Sequence, residues 1–262
     1  MKIMVFIKQV PGTDNVKMNP ETGTMVRTGS NNVINPLDEN ALEEALSIKR
    51  QVQDAVVTAI SMGPLSARKA LNEAIALGAD AGVLLSSRAF AGSDTIATAR
   101  VLSAAVRKLG GADLVLCGER ATDGETGQTG PMIAEMLGLP VITFVKRIQM
   151  NGDRAVVERM VENGFERVEV PFPFLATVIK DINEPSFPTL AGKLRAGKAE
   201  VPVWGPVELG LDNGKLGLAG SPTRVVKVFS PKLARNTRLL KQDGSGQAVR
   251  ELLKVLREKE VI

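Results

Sequence analysis

The sequence contains no histidine and no tyrosine, one cysteine and one tryptophan. Without histidine there can be no Ser–His–Asp triad and no His-ligated metal site. A single thiol excludes a disulfide within the chain. Cys117 ends an apolar run and reads as a buried, inert side chain. Aromatics make up 3% of residues against 44% for apolar residues as a whole, so the core must be aliphatic. The few aromatics are not interleaved with basic residues, which argues against a stacking platform for single-stranded nucleic acid. No apolar run reaches membrane-spanning length. Met1–Lys8 is too short and too soon charged for a signal peptide, so a cytoplasmic, soluble protein is expected. The +4 charge, from 33 basic and 29 acidic residues, is read as solubility plus some attraction for an acidic partner. No spacing of carboxylates singles out an acid–base pair. No catalytic side chain and no metal are expected.

What the sequence does carry is an alternation of strand and helix signals. Apolar runs at Ile3–Ile7, Val56–Ile60, Gly82–Leu85 and Leu114–Leu116 read as buried strands. Between them lie helical patterns: one opening at Asn35-Pro36, one over Ala67–Leu77, and one capped by Ser93 or Asp94. Asn35 suits an N-cap, Pro36 the first helical position and Asp38 the third. This alternation predicts an α/β fold: a doubly wound, mainly parallel sheet with helices on both faces. A weak hairpin is expected over residues 14–33, around Val16, Met18 and Met25-Val26. After Pro140 the pattern changes to three strand-like runs joined at Asn151-Gly152 and Asn163-Gly164, which are hairpin signals. An antiparallel extension is expected there, then a last strand at Leu175–Ile179. Residues 181–246 are rich in Pro and Gly, too long for an ordinary loop, and read as an arm for a partner chain. A final amphipathic helix carries Val249, Leu252, Leu253 and Leu256. The expected division is a nucleotide-binding domain over 1–182 and a loop plus C-terminal arm over 183–262.

The segment Asp123-Gly-Glu-Thr-Gly-Gln-Thr-Gly-Pro-Met132 follows one strand and leads into a helical pattern over Ile133–Leu137. A strand, a glycine-rich turn and a helix start let backbone N–H groups converge on an anion. Thr126, Gln128 and Thr129 add neutral donors, and the segment holds no Lys or Arg. The alternative is a helix-entry loop whose glycines serve only the turn. The first strand is followed by Lys8-Gln-Val-Pro-Gly12 rather than G-x-G-x-x-G, which argues against the ordinary dinucleotide fold. If the strands run third, second, first, fourth, last, this turn faces the end of the first strand at the point where strand order reverses. The Asn35 helix start and Met62-Gly63-Pro64 would lie near it. Asp123 and Glu125 would repel a phosphate, so both are expected to point at ribose, metal or solvent.

Several segments together resemble the beta subunit of electron transfer flavoprotein, over essentially the whole chain. They are Val5-Phe-Ile-Lys-Gln-Val-Pro11, Asn35-Pro-Leu-Asp-Glu39, Met62-Gly-Pro64 and Ala76-Leu-Gly-Ala-Asp80. They continue with Asp113-Leu-Val-Leu-Cys-Gly118, Asp123–Met132, Asn183-Glu-Pro185 and the run Gly192–Lys198. The resemblance implies a fold like that of adenine-nucleotide hydrolases and universal stress proteins. It implies a heterodimer with an alpha subunit that carries an electron-transferring FAD. The implied nucleotide contacts are Phe6, Asn35, Pro36, Leu37, Asp38 and Met62. The glycine-rich segment adds Asp123, Gly124, Glu125, Thr126, Gly127, Gln128, Thr129, Gly130, Pro131, Met132, Ile133 and Ala134. Leu190 corresponds to the anchoring leucine of a loop that docks on dehydrogenases, and Glu166 to a carboxylate that contacts the alpha subunit. Lys8-Gln-Val-Pro11, Arg27-Thr-Gly29, Gly192–Pro202 and Gly220-Ser-Pro-Thr-Arg224 are similar to the electron-bifurcating branch. That branch holds a second FAD in the beta pocket, oxidises NADH, and serves ferredoxin and an acyl-CoA or other flavin dehydrogenase. In the simpler branch the pocket holds AMP. NADH oxidation is expected only within the complex.

Overall fold

A computed structural model describes residues 1–12, 32–226, 237, 239–240 and 246–262. They fall into two units, Met1–Val226 and Lys227–Ile262. The hairpin expected around Val16 and Met25 lies outside the described residues. In the first unit the chain begins with β1 (Lys2–Phe6) and a short pair, β2 (Gln9–Pro11) and β3 (Asn32–Ile34). Helix α1 (Pro36–Gln51), β4 (Val56–Met62), α2 (Arg68–Leu77), β5 (Ala81–Leu85), α3 (Thr95–Lys108), β6 (Leu114–Gly118) and α4 (Thr129–Leu137) follow in the predicted alternation. Then come β7 (Val141–Asn151), β8 (Arg154–Val161), β9 (Gly164–Pro171) and β10 (Phe174–Val178). The remaining elements of this unit are α5 (Leu190–Ala196), the two-residue β11 (Val203–Trp204) and α6 (Pro206–Leu209).

The main sheet runs β11-β5-β4-β1-β6-β10-β7-β8-β9. Its centre, β5-β4-β1-β6-β10, is parallel throughout and has the expected order. Alternation along β1 sends Ile3, Val5 and Ile7 into one core with α1 and α2, and Met4 and Phe6 into the other with α3 and α4. The strand order reverses between β1 and β6, so the carboxyl ends of these two strands border the ligand-binding crevice of this kind of sheet. The antiparallel extension is present in β7, β8 and β9. Strand β7 has two roles, running parallel to β10 before it pairs with β8.

Residues 183–226, read from the sequence as the start of an arm, are part of the first unit. Strand β11 extends the sheet at β5, with Leu84 N donating to Pro202 O at 3.0 Å and Ser86 N to Trp204 O at 3.0 Å. Leu216 is buried with the α3 core. Asp94 caps α3 through Ala97 N at 3.0 Å and also takes the Thr223 N–H at 3.0 Å. Polar anchors and a two-residue strand have no period, so the sequence pattern did not display them. In the second unit, α7 (Gln247–Glu258) is the expected amphipathic helix, with Val249, Leu252 and Leu253 exposed. Among the described residues, no helix is long and apolar enough to cross a membrane.

Candidate functional site

At the reversal of strand order four segments are stitched together by named hydrogen bonds. Asp38, in the first turn of α1, is buried. One carboxylate oxygen takes the backbone N–H of Lys8, just past β1, at 2.8 Å, and the other takes that of Gly118, at the end of β6, at 2.9 Å. Asn35 stands at the N-cap position of α1 but makes no side-chain cap there. Its amide turns outward instead, donating to Arg120 O at 2.9 Å and accepting from Thr122 N at 3.1 Å. The residue chosen from the sequence as a helix cap therefore ties that helix to the glycine-rich loop. Its backbone N–H is taken by Lys8 O at 2.8 Å.

Glycine is required where these elements meet. A Cβ on Gly118 would lie 2.6 Å from Leu37 Cβ and 2.7 Å from Asp38 Oδ1. A Cβ on Gly130, in the first turn of α4, would lie 2.5 Å from Thr177 Cγ2. By contrast nothing stands within 4 Å of a Cβ built on Gly124, so the tip of the loop has open space beside it. Glu125 and Gly127 both have positive φ, at 49° and 63°, which gives the backbone a sharp path through residues 124–128, all exposed. Gln128 occupies the N-cap position of α4 without a side-chain cap bond. The start of this helix is left with main-chain donors rather than a capping side chain.

Electrostatics amend the sequence reading. Asp123 does not face solvent: its side chain is 6% exposed and meets Lys8 Nζ at 2.5 Å. Its charge is thereby neutralised. Glu125 does face solvent, with Arg120 Nε 3.8 Å away, and Arg120 also pairs with Glu119 at 2.6 Å. Lys8 and Arg120 thus bring cations to a loop that has none of its own. Neither had been given a role from the sequence, and position was the available signal, since each lies within two residues of a carboxyl strand end at the switch point. Burial drives the Asp38 carboxyl up to about 7, against the lowering effect of the Gly118 and Lys8 N–H groups. Burial, then the charge of Asp38, raises the Cys117 thiol, so it is inert as expected.

The remaining expected contacts divide. Pro36, Thr126, Gln128 and Thr129 are open or half-open beside the loop, and Pro131, Met132 and Met62 are partly covered. Phe6, Leu37, Ile133 and Ala134 have buried side chains, so only their main chain is available to a ligand. Glu166 lies on β9, far along the sheet, 3.3 Å from Arg159. Leu190 opens α5 and is 75% exposed. Among the described residues no cluster of His, Cys, Asp or Glu is arranged to hold a metal ion.

A family model described as the electron transfer flavoprotein domain matches residues 22–209. The chain is 45% identical to the electron transfer flavoprotein subunit beta of Thermoanaerobacterium thermosaccharolyticum over 263 residues, spanning 100% of both. It is 40% identical to the caffeyl-CoA reductase-Etf complex subunit CarD of Acetobacterium woodii over 262 residues, again 100% of both. Protein FixA of Azorhizobium caulinodans is 43% identical over 239 residues, 88% of this chain and 85% of that protein.

Proposed function

The chain belongs to the electron transfer flavoprotein family as a beta subunit, and on that premise we propose that its switch-point site holds a FAD that accepts electrons from NADH. In this reading the chain works in a heterodimer with an alpha subunit that bears a second FAD. The electrons are divided between ferredoxin and an acyl-CoA or other flavin dehydrogenase. The carrying observation is the junction of β1, α1, β6 and the loop, with Asp123 neutralised by Lys8 and an uncapped helix start beside open space. Such a donor set of amides, hydroxyls and one lysine fits a pyrophosphate. The name of the CarD relative, a subunit of a caffeyl-CoA reductase-Etf complex, supports a role beside an acyl-CoA reductase.

A bound flavin supplies the hydride and single-electron chemistry. This chain's residues bind and orient. Asp38 fixes the spacing of the two strand ends, Asn35 holds the loop against α1, and the first turn of α4 faces the phosphates. The apolar face of α7 and the arm around it are assigned to the alpha subunit, as is Glu166. Leu190 is assigned to docking the dehydrogenase.

AMP in the same site is the second reading, favoured by the small size of the donor set, which one phosphate also satisfies. Acid extraction of the purified heterodimer decides between them. Two FAD per heterodimer, bleached by NADH, is the expected result. One FAD with stoichiometric AMP would overturn the bifurcating assignment and leave a simpler carrier. In either case Lys8→Met leaves the Asp123 carboxylate unpaired beside the phosphates. Nucleotide affinity, measured by titration of the nucleotide-depleted flavoprotein, should fall roughly tenfold. An unchanged affinity would remove Lys8 from the site.

A further inference from the structure

Helix α1 carries a second set of buried polar side chains beyond Asp38, namely Asn40, Glu43 and Glu44. Buried polar groups are costly unless they are hydrogen-bonded, and here every partner but Arg50 comes from one segment. Asn40 Nδ2 donates to Asn183 O at 2.9 Å and to its Oδ1 at 3.1 Å. Asn183 Nδ2 returns a bond to Asn40 O at 3.1 Å and donates to Glu44 Oε2 at 3.2 Å. Ser186 N donates to Glu43 Oε2 at 3.2 Å, and Arg50 meets the other oxygen of Glu43 at 2.8 Å. The far end of the segment is tied to α2. There Arg195 Nη2 donates to Ile75 O at 2.6 Å, and Gly192 lies so close to the Ala76 carbonyl that a Cβ has no room. Between these two anchors Phe187, Leu190 and Leu194 are 92%, 75% and 62% exposed.

We propose that Asn40, Glu43 and Glu44 are positioning residues. Through Asn183 and Ser186 they hold the segment 183–196 so that Phe187, Leu190 and Leu194 stand as one preformed docking face. The proposal rests on the reading that Leu190 docks a dehydrogenase, and it deepens that reading. Three apolar side chains on an untethered loop would lose conformational freedom on docking, and anchoring them beforehand removes that cost from binding. Fold stability alone does not require polar groups at these positions. An apolar face on α1 would serve it equally, whereas directional bonds fix the register of the segment.

The test uses the assembled alpha–beta flavoprotein with Asn183→Ala, and with Leu190→Ala as the docking control. Amide hydrogen exchange over 187–196 should quicken at least roughly tenfold in Asn183→Ala, while the peptides of α3 and the central strands keep wild-type protection. With an acyl-CoA dehydrogenase as electron acceptor, KM for that protein should rise roughly tenfold, with kcat and reduction of a small redox dye unchanged. Wild-type exchange in Asn183→Ala would overturn the positioning role, whatever the acceptor kinetics. A wild-type KM in Leu190→Ala would sink the docking assignment instead, leaving the exchange result to decide the anchor. Should Asn183→Ala not assemble, Glu43→Ala removes the carboxylate that takes the Ser186 N–H, and the same exchange criterion applies.

Discussion

Asp38→Ala is expected to release the nucleotide and to destabilise the subunit more at pH 5 than at pH 8. The carboxylate is the clip across the switch point, taking N–H groups from the ends of both β1 and β6. Without it two part-buried donors lose their acceptor, at up to about 1–3 kcal/mol each. The pH dependence follows from its raised pKa, about 7 in the folded chain against 3.8 ordinarily. Between those values the folded chain keeps a proton that the unfolded chain has released. Stability from this group is therefore fully present below about pH 4 and is lost as pH rises to about 7, a change of about 4 kcal/mol. The alanine variant lacks that slope, so its deficit shrinks toward pH 8. Thermal midpoints of the nucleotide-depleted flavoprotein and its variant at the two pH values provide the measurement. Parallel profiles would show that Asp38 titrates normally.

Gly118→Ala should lower the thermal midpoint and empty the site together. The new methyl would meet Leu37 Cβ at 2.6 Å and the Leu37 carbonyl carbon at 2.8 Å. Neither atom is the free end of a flexible side chain, so α1 itself must move away from β6. Overpacking of this kind costs about 1–3 kcal/mol, or roughly 3–10 °C for a unit of this size. The same movement lengthens both Asp38 bonds and carries Asn35 away from Arg120 and Thr122. Gly124→Ala is the contrasting change. It meets nothing in the chain, so its midpoint should match the parent, while a ligand lying against the loop would sense the methyl as weaker binding. Calorimetry with nucleotide titration separates the two cases. A Gly118→Ala protein with the parental midpoint and full cofactor content would refute the close-packed junction.

The central sheet was legible because its signals are local and repeated. Apolar runs of strand length and helix entries such as Asn35-Pro36 mark β1, β4, β5, β6 and β10 one by one, and the order considered for a doubly wound sheet is the one they adopt. The site was legible in outline for the same reason, since a parallel sheet dictates which strand ends converge. What escaped was specified by single polar atoms. The Asn35 side chain serves the loop rather than its own helix, and Asp123 is turned inward by a lysine more than a hundred positions earlier in the chain. Strand β11 and the Asp94–Thr223 tie likewise depend on partners far apart in sequence, which no local period reveals. The buried polar face of α1 is the sharpest case: glutamates such as Glu43 and Glu44 ordinarily face solvent, and their burial follows from a segment about 140 positions later.

Trp204 gives the chain a property apart from its chemistry. It is the sole tryptophan, and tyrosine is absent. It sits on the two-residue edge strand with Lys108 Nζ 5.2 Å from its ring centroid. Near-ultraviolet emission from this subunit therefore originates at one address, the β5 side of the sheet. Fraying of that edge will register as a change in indole fluorescence, on an optical channel separate from the visible absorption of a flavin.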